Sequence, residues 1–251
     1  MVTAVIVDDE AQAREALRLI LMRDAPEVQV LAEGSSVEEA KLLIAHHAPQ
    51  LLFLDVQMPG GDGFELLKEL GTWDFDVIFI TGSNQHAIQA IRFSALDYIM
   101  KPVLGNELRA AIDRHNLSRR SGIAKRGLAP DAQQQLLHNI AQPDEHTMKL
   151  TLTSGDRSYF VDPSEVIWCE ADVNYTNLHL GNERRFVSAR TLKDYDDMLT
   201  PLGFLRTHRS YLVNRAHIDH LDRSGFVVLR NGKRVEVASR RKDDVARALA
   251  G

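Results

Sequence analysis

The sequence lacks the features that mark secreted, membrane-spanning and disordered proteins. It contains one cysteine, Cys169, so no disulfide can form within the chain, and a reducing, cytoplasmic environment is expected. No apolar run approaches the roughly 18 residues that suggest a membrane span, so no membrane association is expected. The N-terminal stretch MVTAVIVDDE has acidic residues and no basic start of the kind found in signal peptides. The hydrophobic fraction of 44% is ordinary for globular protein, which excludes a disordered or fibrous class.

The pattern of residues 1–116 predicts an α/β domain. Nearly continuous apolar runs predict strands at 4–7, 28–33, 51–55, 77–81 and 97–100, with stretches of helical spacing between them. Such strands are buried on both faces, which requires a doubly wound, five-stranded parallel sheet covered by helices.

The rest of the chain has a different character. Residues 117–146 are rich in Gly, Pro, Gln and mixed charge, which predicts a linker with room for a short helix at 131–140. Residues 147–251 predict a mainly β domain. Hairpin signals lie at Gly181-Asn182 and Asn231-Gly232, and two helical pieces lie at 192–200 and 239–250. Acidic side chains outnumber basic ones in the first half, and the reverse holds in the second, which hints at different partners.

Three carboxylates are expected to meet at one edge of the predicted sheet. Asp8 and Asp9 follow the first strand and Asp55 ends the third, and in the flavodoxin-like order these strands are neighbours. Carboxylates so close disfavour one another's charged form, and a bound Mg²⁺, which takes oxygen ligands, would resolve this. A carboxylate beside Mg²⁺ can accept a phosphoryl group, with Thr81 and Lys101 at neighbouring strand ends to contact it.

The motifs VDDE (7–10), LDVQMPGGDG (54–63), ITG (80–82) and DYIMKP (97–102) resemble the receiver domain of bacterial two-component response regulators. The resemblance implies a flavodoxin-like fold with Asp55 as the phosphoacceptor. Asp9 would bind Mg²⁺ directly, Asp8 would bind it through water, and the Gln57 main-chain carbonyl would be a third ligand.

The same resemblance assigns the switch residues. Thr81 and Lys101 would contact the phosphoryl group, Tyr98 would turn inward on activation, and the Lys101–Pro102 peptide would be cis. Gly82 departs from the family, which more often has alanine there. Access to the phosphoryl pocket and the lifetime of the phosphate therefore stay open.

The segment FLRTHRSYLVNRAHIDHL (204–221) resembles the central signature of LytTR-type DNA-binding domains. The resemblance covers about 147–250 and implies an elongated β fold whose loops enter successive major grooves of duplex DNA. It makes Asn174, Arg209 and Arg241 the candidates for base contacts, and it gives His208 and Arg240 supporting or backbone-contacting roles. Arginine can bind guanine O6 and N7 with two hydrogen bonds, and asparagine can pair with adenine.

These observations favour a response regulator, not an enzyme. A sensor histidine kinase would phosphorylate Asp55, and the receiver would form a homodimer through its fourth and fifth helices, predicted near 84–93 and 106–114. The dimer would then bind duplex DNA and regulate transcription. Two alternatives stay open: the back domain could contact protein or RNA, or the chain could be a phosphorelay or self-dephosphorylating intermediate with a scaffold behind it.

Overall fold

The structure is a computed structural model that describes residues 1–59, 61–82, 97–120, 129–141, 148–154, 157–173 and 175–250. The chain divides into two compact units. The first comprises Met1–Thr151 with Gly155–Phe160, and the second comprises Leu152–Ser154 with Val161–Gly251. Among the helices of the described residues, none combines the length and apolar character that crossing a bilayer requires.

A five-stranded parallel sheet forms the centre of the first unit. Its strands are β1 (Val2–Val7), β2 (Val28–Gly34), β3 (Leu51–Asp55), β4 (Asp76–Thr81) and β5 (Asp97–Met100). They lie in the order β2-β1-β3-β4-β5, and every neighbouring pair runs parallel. The predicted fold is confirmed, and the strand order reverses between β1 and β3, where such sheets bind their ligands.

Helices cover both faces of this sheet. They are α1 (Ala11–Asp24), α2 (Val37–His47), α3 (Gly63–Leu70) and α4 (Gly105–Arg120). Successive residues of a strand point to opposite faces. Leu52 and Leu54 of β3 therefore pack with α2 and α3, whereas Leu51 and Phe53 pack with α1 and α4. The predicted helix at 84–93 lies outside the described residues.

Local sequence explains where two of these helices begin and end. The Ser36 side chain caps α2 by accepting a hydrogen bond from the Glu39 N–H at 3.2 Å. Asp62 and Glu65 form a reciprocal capping box at the start of α3. This helix ends at Gly71, whose φ of +68° favours glycine.

A further helix, α5 (Pro130–Ala141), lies in the segment predicted as a linker and belongs to the first unit. Its Leu136 is fully buried in the core that α2 and α3 cover. The Gln133 side chain accepts a hydrogen bond from the Trp73 N–H at 3.3 Å and donates one to the Trp73 carbonyl at 2.8 Å. The segment thus contains an element packed on the first unit and is not only a connection between domains.

The second unit is built mainly from antiparallel strands. Its larger sheet contains β8 (Val166–Asp172), β9 (Tyr175–Leu180), β10 (Arg185–Ser188), β11 (Phe204–His208) and β12 (Tyr211–Asn214), in the order β10-β9-β8-β12-β11. The remaining elements are a three-stranded sheet of β13 (Ile218–Leu221), β14 (Phe226–Leu229) and β15 (Arg234–Glu236), and helices α6 (Leu192–Leu199) and α7 (Lys242–Ala250). A separate pair of strands, β6 (Leu150–Ser154) and β7 (Arg157–Val161), has residues in both units. The prediction of a mainly β domain is confirmed.

The hairpin signals of the sequence correspond to turns in this unit. Gly232 has a φ of +83° between β14 and β15, as the Asn-Gly pair indicated. Between β9 and β10 the left-handed residues are Asn182 and Glu183, one position later than predicted. Cys169 is fully buried, and burial raises the pKa of its thiol, so it packs as a small apolar residue.

Candidate functional site

The first unit brings three acidic side chains together at the carboxyl end of its sheet. Asp8 and Asp9 directly follow β1, Asp55 ends β3, and these strands are paired side by side. Each residue offers a carboxylate oxygen, and the three oxygens lie within 4.8 Å of one another. Asp8 and Asp55 are buried, so their charges need partners inside the protein.

Lys101, directly after β5, supplies one such partner. Its Nζ lies 2.7 Å from Asp55 Oδ2, 2.9 Å from Asp8 Oδ2 and 3.2 Å from Glu10 Oε1. Burial disfavours the ammonium, but the hydrogen bonds to Asp55 and Asp8 outweigh it and raise the pKa of Lys101. The pKa of Asp8 is also raised, because its burial outweighs the hydrogen bond from Lys101.

The other predicted pocket residues lie around this cluster. Thr81 ends β4, and its buried hydroxyl has no hydrogen-bond partner among the residues that the structure describes. Tyr98 in β5 is half-buried and packs against the core on the α3 side of the sheet. The Gln57 N–H donates to Asp55 Oδ1 at 3.1 Å, while the role of its carbonyl stays a prediction. The Lys101–Pro102 peptide is cis, as the resemblance implied.

Glu10 and Arg14, which were not among the predicted site residues, also contact this pocket. Glu10 reaches Lys101, and its N–H donates to Asp8 Oδ1 at 2.9 Å. The Arg14 guanidinium donates to the main-chain carbonyl of Asp8 at 2.6 Å. The sequence signal for Arg14 was its position one helical turn after Glu10, where a side chain can reach back to the preceding loop.

The donor set fits a magnesium ion. Mg²⁺ binds oxygen ligands and usually takes one or two carboxylates while keeping several waters. Asp8, Asp9 and Asp55 offer such carboxylate oxygens in one cluster at the described sheet edge. These three residues are therefore the ones that could hold the ion, and the unpartnered Thr81 hydroxyl could donate to an oxygen placed beside it.

The second unit places the predicted DNA-contacting turn of Arg209 at one end of its larger sheet, beside the end of β8. The turn of Arg209 and Ser210 joins β11 to β12, and the Ser210 carbonyl accepts a hydrogen bond from the Ala171 N–H at 2.9 Å near the end of β8. Arg209 is exposed in this turn. His208 Nδ1 accepts a hydrogen bond from the Ser210 N–H at 3.2 Å, which fits a supporting role. Asn174, in the loop between β8 and β9, lies outside the described residues.

The third predicted segment lies beside the same turn. Arg240 and Arg241 belong to a short 3₁₀ turn, Ser239–Arg241, that precedes α7. The Ala238 N–H donates to the Thr207 carbonyl at 2.9 Å, and Arg241 Nη1 donates to the Arg206 carbonyl at 3.1 Å. Arg240 is exposed, whereas Arg241 is half-buried. The exposed Arg209 and Arg240 therefore lie on adjoining segments of the second unit. A surface that contacts both the phosphates and the bases of DNA would need basic residues placed in this way.

Comparisons with known proteins match both units. The family model of the response regulator receiver domain matches residues 4–113, and that of the LytTR DNA-binding domain matches residues 156–250. The transcriptional regulatory protein BtsR of Escherichia coli is 30% identical over 248 residues, which cover 96% of this chain and 95% of the relative. The sensory transduction protein LytT of Enterococcus faecalis is 28% identical over 239 residues, with 93% of each chain covered.

The two matches occur in one chain and in the predicted order. Both relatives match along nearly their whole length, so the similarity includes the combination of the two domains. The relatives are named as a transcriptional regulatory protein and a sensory transduction protein. The chain belongs to the two-component response regulators that join a receiver domain to a LytTR DNA-binding domain.

Proposed function

We propose that a sensor histidine kinase phosphorylates this regulator on Asp55. The supporting observation is the pocket in which Asp8, Asp9 and Asp55 lie within 4.8 Å beside the Lys101 ammonium. A carboxylate oxygen of Asp55 forms a bond to phosphorus while the bond from phosphorus to the kinase's histidine nitrogen breaks. The imidazole leaves with that electron pair, so atoms and charges balance.

Each pocket residue has a separate task in this transfer. Asp9, Asp55 and the Gln57 carbonyl would hold Mg²⁺ directly and Asp8 would hold it through water, and the ion would supply positive charge to the phosphoryl oxygens. The Lys101 ammonium, which contacts Asp8 and Asp55, neutralises further charge on the phosphoryl group.

The phosphoryl group adds about −1.5 to −2 charges, which changes what Lys101 and Thr81 bind. Lys101 exchanges its contact with the Asp55 carboxylate for a phosphoryl oxygen, and the Thr81 hydroxyl gains the acceptor that it lacks among the described residues. Tyr98 lies on β5 in register with Phe79, two residues before the Met100 that pairs with Thr81, and it turns inward when Thr81 moves. This change reshapes the dimer surface predicted at 84–93 and 106–114, of which 84–93 lies outside the described residues, and two receivers dimerise through it.

The dimer then binds duplex DNA through its two LytTR domains. Arg209, Asn174 and Arg241 read base edges in the major groove, while Arg240 contacts backbone phosphate and His208 supports the turn. Arg241 donates through Nη1 to the Arg206 carbonyl, and among the described residues its remaining N–H groups have no further hydrogen bond, which leaves them for a base edge. Chromosomal DNA and the kinase's phosphohistidine are both met in the cytoplasm, which is the proposed location.

Selection of bound sequences from random duplex DNA tests this function. We expect wild-type protein treated with acetyl phosphate and Mg²⁺ to enrich a two-part site, and Asp55→Asn treated in the same way to enrich it far less. The affinity for that site should fall steeply with salt, because phosphate contacts release counterions. Failure to enrich any sequence, together with binding to RNA or protein, would favour the alternative role of the back domain.

The metal site gives an independent prediction. With Mg²⁺ at ten times its Kd, linkage predicts a stabilisation of about 1.4 kcal/mol and a melting temperature raised by roughly 3–6 °C. Asp9→Asn should lose most of this rise, because an amide carries no charge to bind the ion. Scanning calorimetry with MgCl₂, and with NaCl of equal ionic strength as the control, measures the difference. Equal rises in both proteins would place the ion elsewhere.

A further inference from the structure

Arg206 connects the DNA-contacting turn to the rest of the second unit. It lies in β11, and its side chain is only 14% exposed. Its Nε donates to the His208 carbonyl at 2.8 Å and its Nη2 to the Arg209 carbonyl at 2.6 Å. Its Nη1 donates to the Leu192 carbonyl of α6 at 2.9 Å and lies 3.4 Å from Asp196 Oδ2. One guanidinium thus joins the turn to a helix.

This arrangement uses properties that only arginine has. The guanidinium carries five N–H donors in a rigid, planar fork, and here the fork contacts three carbonyls and one carboxylate. Burial lowers the pKa of Arg206, and the Asp196 carboxylate opposes that shift. A lysine ammonium has three donors at a single point and cannot reach acceptors on both sides of the turn.

The main chain of β11 also binds the segment that contains Arg240 and Arg241. The Arg206 carbonyl accepts the bond from Arg241 Nη1, and the next carbonyl, that of Thr207, accepts the bond from the Ala238 N–H. The position of Arg241 relative to Arg209 therefore depends on the course of β11 at residues 206 and 207. Arg206 itself has its polar atoms turned to carbonyls and a carboxylate, so base reading is not its task.

We propose that Arg206 is a positioning residue for DNA readout. It fixes the two successive carbonyls at 208 and 209, and so sets the direction in which the exposed Arg209 side chain leaves the turn. It also keeps the position of Arg241 constant relative to that turn, because Arg241 binds the Arg206 carbonyl. The inference rests on the proposed reading of bases by Arg209 and adds a residue that acts through it.

A double-mutant cycle in the full-length protein tests this role. We expect Arg206→Lys to weaken binding to the selected duplex by roughly tenfold and binding to a shuffled duplex by less than about twofold. In an Arg209→Ala background, Arg206→Lys should weaken selected-site binding by less than about twofold, because the residue that it positions is already gone. The matched control is Arg184→Lys, at the turn that leads into β10, where the wild-type arginine pairs with Glu165; it should leave both affinities unchanged.

Each other outcome contradicts the proposal. Equal losses on selected and shuffled duplexes, or equal losses with and without the Arg209 side chain, would mean that Arg206 does not act through the turn. Loss of the folded far-UV circular dichroism spectrum in Arg206→Lys would make it a residue of the fold alone. Wild-type protein that prefers no duplex sequence would overturn the proposed base readout itself, which is a separate and distinguishable result.

Discussion

Replacing Asp55 by asparagine is expected to abolish phosphorylation of the intact protein by acetyl phosphate in the presence of Mg²⁺. The amide oxygen is a poor nucleophile toward phosphorus, and the substitution also removes one of the carboxylates in the cluster with Asp8 and Asp9. Intact-mass spectrometry measures the result directly: the wild type should gain one phosphoryl group, and Asp55→Asn should gain none.

The matched control for this experiment is Asp113→Asn. Asp113 is an exposed carboxylate of α4 that pairs with Arg109, and it is not part of the acidic cluster. This variant should take up a phosphoryl group as the wild type does. Uptake by Asp55→Asn at the wild-type level, or a wild type that stays unmodified, would contradict the assignment of Asp55.

The second large effect is expected from Leu136→Ala in α5. Leu136 is fully buried in the core of the first unit, so truncation leaves a cavity and should lower the free energy of unfolding by about 2–5 kcal/mol. Trp73, whose main chain is hydrogen-bonded to Gln133 of the same helix, is a fluorescent reporter close to the change. Urea unfolding followed by Trp73 fluorescence, in a Trp168→Phe background, measures the loss.

Gln134→Ala is the control for that measurement, because Gln134 is an exposed residue of the same helix. We expect it to change the free energy of unfolding by less than about 0.5 kcal/mol. A loss of the same small size in Leu136→Ala would show that the helix does not pack on the first unit in solution. A large loss would mean that the segment between the two matched domains is part of the receiver's fold and not a free tether.

The fold and the acidic pocket were largely predictable because their signals are local. The spacing of apolar residues that distinguishes a strand from a helix can be seen in neighbouring residues. Strands that alternate with helices along the chain imply a parallel sheet. Once strands are parallel, their carboxyl ends share one edge, so Asp8 and Asp55 could be expected to meet although 46 positions of sequence lie between them. The resemblance predicted that Lys101 contacts the phosphoryl group, whereas its contacts with Asp8, Asp55 and Glu10 are seen only in the structure.

The arrangement of the proposed DNA-contacting residues was predictable only in part. Resemblance nominated Arg209 and Arg241, but nothing in the local pattern indicated that Arg241 would bind the main chain of β11. Arg206 in FLRTH reads as an ordinary polar position of a short strand, because burial by α6 cannot be inferred from its neighbours in sequence. The role of Arg206 depends on which main-chain carbonyls face its guanidinium. The direction of those carbonyls is set by the packing of separate elements, which the local sequence does not show.

The sequence by itself determined the order of strands and helices, the class of each domain and the acids at the sheet's ligand-binding edge. Only the tertiary structure decided that Lys101 joins Asp8 and Asp55, that α5 packs through Leu136 in the first unit, and that Arg206 connects the turn of Arg209 and Ser210 to α6. The physical reason is the range of the interactions. Periodicity and capping act between residues a few positions apart, whereas these contacts join residues brought together only when separate elements pack.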